Sequence, residues 1–196
     1  MRKGVLISIF IIALGLIIIG YFEIRERTKY KGLEKLAIKD NINITIHMKI
    51  FSSAFMHNQQ MLSKFTCDDA NVNPPLNFDD VPPAAKSLVL IMDDPDAPLG
   101  TWLHWTMWNI NPQTKKIAEN TVPEGAVEGV TDFGSTGYGG PCPPSGEHRY
   151  FFKLYALDTM LDLAQGAKLD ELENAMEGHI LDKAELIGLY KRIKIK

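Results

Sequence analysis

The chain has 196 residues, 45% hydrophobic and 23% charged, with 15 Gly, 11 Pro and 2 Cys. This composition excludes collagen-like, disordered and disulfide-dense classes and leaves one ordinary globular domain with an appendage. The net charge is −3 with no long run of like charge, which argues against nucleic acid as a partner.

The charge is divided along the chain. Residues 1–40 carry eight Lys/Arg against four Asp/Glu, and the remainder carry 13 against 20. Residues 4–22 form 19 uncharged positions rich in Ile and Leu. As a helix they reach about 28 Å, roughly one hydrocarbon core, and predict a single-pass membrane anchor over residues 1–22. Arg2 and Lys3 would also suit a cleaved signal peptide, but the apolar run is too long for its hydrophobic region and no A-x-A-like site follows. Residues 23–40 read as a juxtamembrane linker. Arg25, Arg27, Lys29, Lys31, Lys35 and Lys39 favour retention in the cytoplasm by the positive-inside rule. The very short N-terminal tail is the usual arrangement of an exporting anchor and tips the expectation toward an extracytoplasmic domain.

The domain is expected over residues 41–196. Ile42, Ile44, Ile46, Met48 and Ile50 alternate with Asn43, Thr45, His47 and Lys49, a period of two that predicts a half-buried strand with His47 toward solvent. Runs at 87–92, 102–110 and 150–157 are rich in β-formers and bounded by Pro, Gly, Asp and Asn, so they too are read as strands. Leu169, Leu172, Ala175, Met176 and His179/Ile180 recur at helical spacing, with Asp170 expected as the cap before Glu173. Residues 184–190 fit a last strand or a helix. The expected class is mainly β with peripheral α.

Three segments place polar groups beside apolar strands. Asp93-Asp94-Pro95-Asp96-Ala97-Pro98 follows one strand, and its prolines stiffen a loop bearing several carboxylates. A turn whose Asp side chains bond their own backbone accounts for it equally well. In Trp102-Leu103-His104-Trp105, alternation puts Trp102, His104 and Thr106 on one face and Leu103, Trp105 and Met107 on the other. A lone His on an aromatic strand is usually a satisfied core residue. The Gly- and Pro-rich stretch 134–146 runs into His148 and Tyr150; it suits either an anion-binding wall or a purely structural loop. No G-x-S-x-G, P-loop, H-E-x-x-H or C-x-x-C pattern is present, so hydrolase and zinc chemistry start low. Asp94, His104 and His148 would be acceptable metal ligands, a reading given little weight.

Taken together, DDPDAP, the following HW and GYGGPCPPSGEHRYFFKLYALD resemble the phosphatidylethanolamine-binding protein family, in its bacterial and archaeal Raf kinase inhibitor-like branch. The likeness begins near Phe51, includes FTCDD and NPPLNF, and ends in EGHILDKAELIGLY. It implies a large antiparallel sheet packed with a smaller one plus peripheral helices. It also implies a surface pocket for phosphate, phosphorylated headgroups or similar anions, whose motif residues fall on Asp94, Asp96, His104, Pro141, His148 and Tyr150. In that pocket Asp94 is expected to orient His104 or His148, Tyr150 to donate, and Gly139 and Gly140 to offer amides. Arg149 faces the other side of a regular strand and is read as structural. Asn73 and Asn111 depart from residues common in the family and concern loop conformation. The family fold would bring Cys67 and Cys142 toward the pocket side; they are free thiols in a reducing cytosol or a disulfide if the domain is exported.

The resulting expectation is a membrane-tethered, non-enzymatic binding protein without a cofactor. Its expected partners are a small anionic or phosphorylated ligand, the membrane through the N-terminal helix, and a protein partner in the alternative that it regulates a kinase or protease. Hydrolysis through the pocket histidines ranks last, because no activated nucleophile is visible.

Overall fold

A computed structural model describes residues 46–192. The apolar run 4–22, the linker 23–40 and positions 41–45 of the first expected strand lie outside the described residues. Among the described residues no helix is long and apolar enough to cross a membrane.

Among the described residues nine strands form two sheets. The smaller is antiparallel, in the order β1 (Lys49–Phe51), β3 (Leu76–Asp79), β6 (Lys116–Ile117). The larger runs β2 (Gln59–Gln60), β9 (Ile180–Lys191), β8 (Glu147–Leu157), β4 (Ser87–Asp94), β5 (Trp102–Ile110), β7 (Val127–Glu128). All its pairings are antiparallel except the edge pair of β2 and β9. The first strand is shorter than the alternating pattern predicts. Met48 and Ile50 are buried, but Ile46 is 66% exposed and precedes the ladder, because Asp182 Oδ2 accepts the Met48 N–H where a strand partner would. His47 is exposed, as expected.

The central strand β4 is buried along its whole length, which explains its unbroken apolar sequence. Leu88, Leu90 and Met92 enter the core between the sheets with Tyr150, Phe152, Leu154 and Phe78. Val89 and Ile91 point the other way, into a second core with Trp108, Leu157, Leu161 and the helix α1 (Leu169–Met176). This second core covers a face that an antiparallel sheet often leaves to solvent. The α1 start also corrects the expected cap. Lys168 is the N-terminal flanking residue, and its backbone N–H is accepted by Glu171 Oε2 at 2.8 Å, while Asp170 lies in the first turn. Residues 184–190 belong to β9, where pairing with the long strand β8 decides between the two readings.

Asn73 is buried and ties two loops together, donating to Ala118 O and accepting from Thr121 N. Asn111 closes a turn by accepting the Gln113 N–H. Both act on loop conformation.

Candidate functional site

Adjacent carboxylates on β4 go to opposite faces, as strand geometry requires. Asp94 continues the row of Leu88, Leu90 and Met92 on the inter-sheet face, and its Oδ2 accepts the Nδ1–H of His148 at 2.8 Å. Its Oδ1 accepts the Asp96 N–H at 2.9 Å, so the self-bonded turn and the histidine-orienting carboxylate are the same residue. Asp93 takes the reverse face and holds Lys153. On that reverse side Asp96 also finds its partner. Arg149 Nε and Nη2 donate to its two oxygens at 2.8 and 2.7 Å, and the Arg149 N–H adds a third bond at 3.0 Å. The guanidinium holds the Asp96 carboxyl down to about 2, against the opposing effect of burial. The motif therefore divides: Asp94 joins the pocket, whereas the expected pocket residue Asp96 locks the loop to β8.

His104 reaches the same face as Asp94 by a device that simple alternation misses. Met92 pairs with Trp105 but Asp93 pairs with Leu103, so His104 is the extra residue of a β-bulge. The shift sends Leu103 to the second core while Trp105 stays in the first. His104 meets Tyr150 edge-on, with centroids 5.2 Å apart, instead of sharing a face with Thr106. Its Nδ1 lies 2.6 Å from Gly139 O, and a carbonyl only accepts, so Nδ1 carries the proton. Phe133 packs edge-on against the ring at 5.3 Å and against Trp102 at 5.6 Å. The Phe133 loop is itself pinned to β5, since Asp132 Oδ2 accepts the Leu103 N–H at 2.7 Å. Burial pushes His104 below the usual imidazole range, partly offset by Gly139 O and by the charges of Asp94, Asp93 and Asp132.

The glycine loop has a different role from the one expected. The Gly139 N–H goes to His104 O, and the Gly140 N–H goes to Asn71 Oδ1 at 2.8 Å. Neither amide is left for an anion. Pro141 is buried beside them, and its carbonyl accepts the Cys67 N–H at 3.1 Å. Cys67 and Cys142 form a disulfide with Cα atoms 5.4 Å apart, joining the loop after the 3-10 turn Ser63–Phe65 to the glycine loop. Tyr138, whose hydroxyl donates to Phe65 O, reinforces that junction.

Three polar groups remain. Tyr150 Oη is buried without a hydrogen bond of full geometry, although Asp94 and the Cys142 backbone lie close enough to act on it. Burial raises its ionisation, as does the neighbouring Asp94 charge, so the phenol keeps its proton. The Nε2 atoms of His104 and His148 make no hydrogen bond within the described residues, and neither is a fully buried orphan, so both open to solvent. His104 and His148 are nonetheless only 2% and 7% exposed. Among the described residues no group of three or more His, Cys, Asp or Glu is arranged to hold a metal ion. Phe133, Asn71 and Asp132 support the site from loops without periodicity, so sequence pattern gives them no signal. Asp93 lay within the motif, but its separate role depends on facing Lys153.

The two-sheet fold thus brings an aspartate-held histidine, a second histidine and a buried tyrosine to one end of the large sheet. The sequence profile of phosphatidylethanolamine-binding protein matches residues 51–191, and the chain belongs to that family. A UPF0098 protein of Methanothermobacter thermautotrophicus is 52% identical over 150 residues, covering 74% of this chain and 99% of the relative. A UPF0098 protein of Archaeoglobus fulgidus is 42% identical over 194 residues, covering 95% of this chain and 60% of that relative. The crystal structure of a phosphatidylethanolamine-binding protein homologue from Chlamydia trachomatis superposes with a TM-score of 0.74 at 41% identity, covering 76% of this chain and all of that one. E. coli YbcL, described as a new member of the mammalian family, gives 0.71 at 28% identity with 76% of this chain covered and all of that one.

Proposed function

We propose that the protein is a non-enzymatic, membrane-tethered member of this family that binds a small anion or phosphorylated group at the Asp94–His148, His104 and Tyr150 site. The observation that carries the reading is the grouping of the Asp94-held His148, His104 and the buried Tyr150 hydroxyl, with both imidazole Nε2 atoms unbonded among the described residues. Buried polar groups are almost always satisfied, and an orphan beside two open imidazoles is a place for a ligand's polar atoms. No cofactor enters this reading. The apolar run 4–22 supports the tether, and the Cys67–Cys142 disulfide supports an extracytoplasmic domain.

The test is calorimetric titration of the full chain in non-ionic detergent with inorganic phosphate, alongside His148→Ala. The substitution is expected to weaken phosphate by about tenfold or more, the cost of one charge-assisted hydrogen bond. Unchanged binding in the variant overturns the assignment. A protein-regulatory role has one observation in its favour: Leu99, Trp102 and Phe133 are exposed at 98%, 37% and 47%. Trp102 and Phe133 stand next to His104 and would give a partner an apolar rim. Partner capture unaffected by His148→Ala would favour it.

A further inference from the structure

From the hydrogen-bonding inventory of the site we infer that it selects an anion bearing its own proton, such as the monoanion of a phosphate monoester, over an equally charged anion without one, with His104 Nε2 as the acceptor of that proton. The inference rests on the anion-site reading and specifies the protonation state of the ligand.

Three donors that would suit a fully ionised anion are committed elsewhere. The Gly139 amide is bound to His104 O and the Gly140 amide to Asn71. The one guanidinium on this stretch of β8, Arg149, lies on the reverse face with Asp96. His104 cannot turn its proton toward the opening, because its Nδ1–H is held by Gly139 O and its ring is wedged between Tyr150 and Phe133. A neutral imidazole fixed in that tautomer presents a lone pair at Nε2. An unprotonated anionic oxygen there meets lone pair against lone pair; a P–OH group donates to it.

The rest of the ligand is met by Tyr150 Oη, which donates, and by His148. When His148 carries a second proton, Asp94 balances its charge and Nε2 donates. Asp94 on β4, Tyr150 on β8 and Asp132 and Phe133 on the adjoining loop act on His104 from its own side, and the charge of Asp93 reaches it from the reverse face. The three carboxylates favour a second proton on the ring, and burial, the largest influence, disfavours it. A site that offers one fixed acceptor rejects an analogue lacking the matching donor, because the acceptor is then buried unpaired.

Methyl phosphate and methyl sulfate separate the alternatives. Near pH 5, below the second ionisation of a phosphate monoester at about 6, both are monoanions of nearly the same shape, and only the phosphate carries a proton. In calorimetric titrations of the full chain, methyl phosphate is expected to bind about tenfold tighter or more. Raising the pH should weaken it, and the midpoint of that loss should move upward for methylphosphonate, whose second ionisation lies higher. His104→Gln, whose amide offers both a donor and an acceptor, should bring the two affinities together. Equal affinities for the two methyl esters near pH 5 overturn the inference while leaving the anion site standing, as does one midpoint shared by both phosphorus ligands. Failure of both esters to bind at any pH removes the anion site and the inference together.

Discussion

Asp94 is the residue on which the site turns, because one carboxylate both closes its own turn and holds His148. Asp94→Ala leaves the buried Nδ1–H of His148 without an acceptor, and the expected loss is about 1–3 kcal/mol, read from urea unfolding. A loss no larger than that of an exposed Asp→Ala control would contradict the bond's structural weight. Asp96 makes a different prediction through pH. Its folded ionisation is depressed to about 2, below an unfolded value of about 3.9, so its contribution is present above the unfolded value and is lost as pH falls through the folded one. Asp96→Asn should therefore be less stable than the parent at neutral pH, and the difference should shrink between about pH 4 and pH 2. A difference independent of pH over that window would show that Arg149 does not hold the carboxylate charged.

At the level of elements, the glycine loop acts as a wall that positions His104. A Cβ on Gly140 would come within 2.5 Å of Phe65 O and 2.9 Å of Thr66 Cα, both backbone atoms of a disulfide-linked segment. Gly140→Ala is expected to lower stability by about 1–3 kcal/mol in thermal unfolding. A Cβ on Gly139 meets only the half-exposed Phe133 ring, which can swing aside, so Gly139→Ala should cost less and show itself as altered packing around His104. Equal losses for the two would contradict the difference between backbone and side-chain obstruction. The same loop shows where sequence reading stops. Strands at 87–92, 102–110 and 150–157 were legible from apolar and aromatic runs, and the helix from its spacing. His148 and Tyr150 share a face with Arg149 opposite, as alternation requires. The bulge at His104, the use of both glycine amides and the departure of Asp96 to Arg149 were not legible. Each depends on which strand lies alongside, information that no local period carries.

Across the whole molecule, the large sheet is a partition between two chemistries. Its inter-sheet face ends in Asp94, His104, His148 and Tyr150; its reverse face carries Asp93, Lys153, Arg149 and Asp96 in ion pairs. The Cys67–Cys142 disulfide links segments 75 residues apart and closes the loops over the site side. Its reduction is expected to lower stability by about 2–4 kcal/mol, chiefly by freeing the unfolded chain, as measured by urea unfolding with and without a phosphine reductant. No change on reduction would mean that the cysteines are not paired in the folded protein.

In the proposed site His104 and His148 face one anion. The direct test is to label histidine with 15N in the full chain in non-ionic detergent and to follow both imidazoles during a phosphate titration, with each His→Ala variant for assignment. Both rings are expected to shift together with one apparent affinity. Two unrelated midpoints, or silence at phosphate on the order of 10 mM, would contradict it.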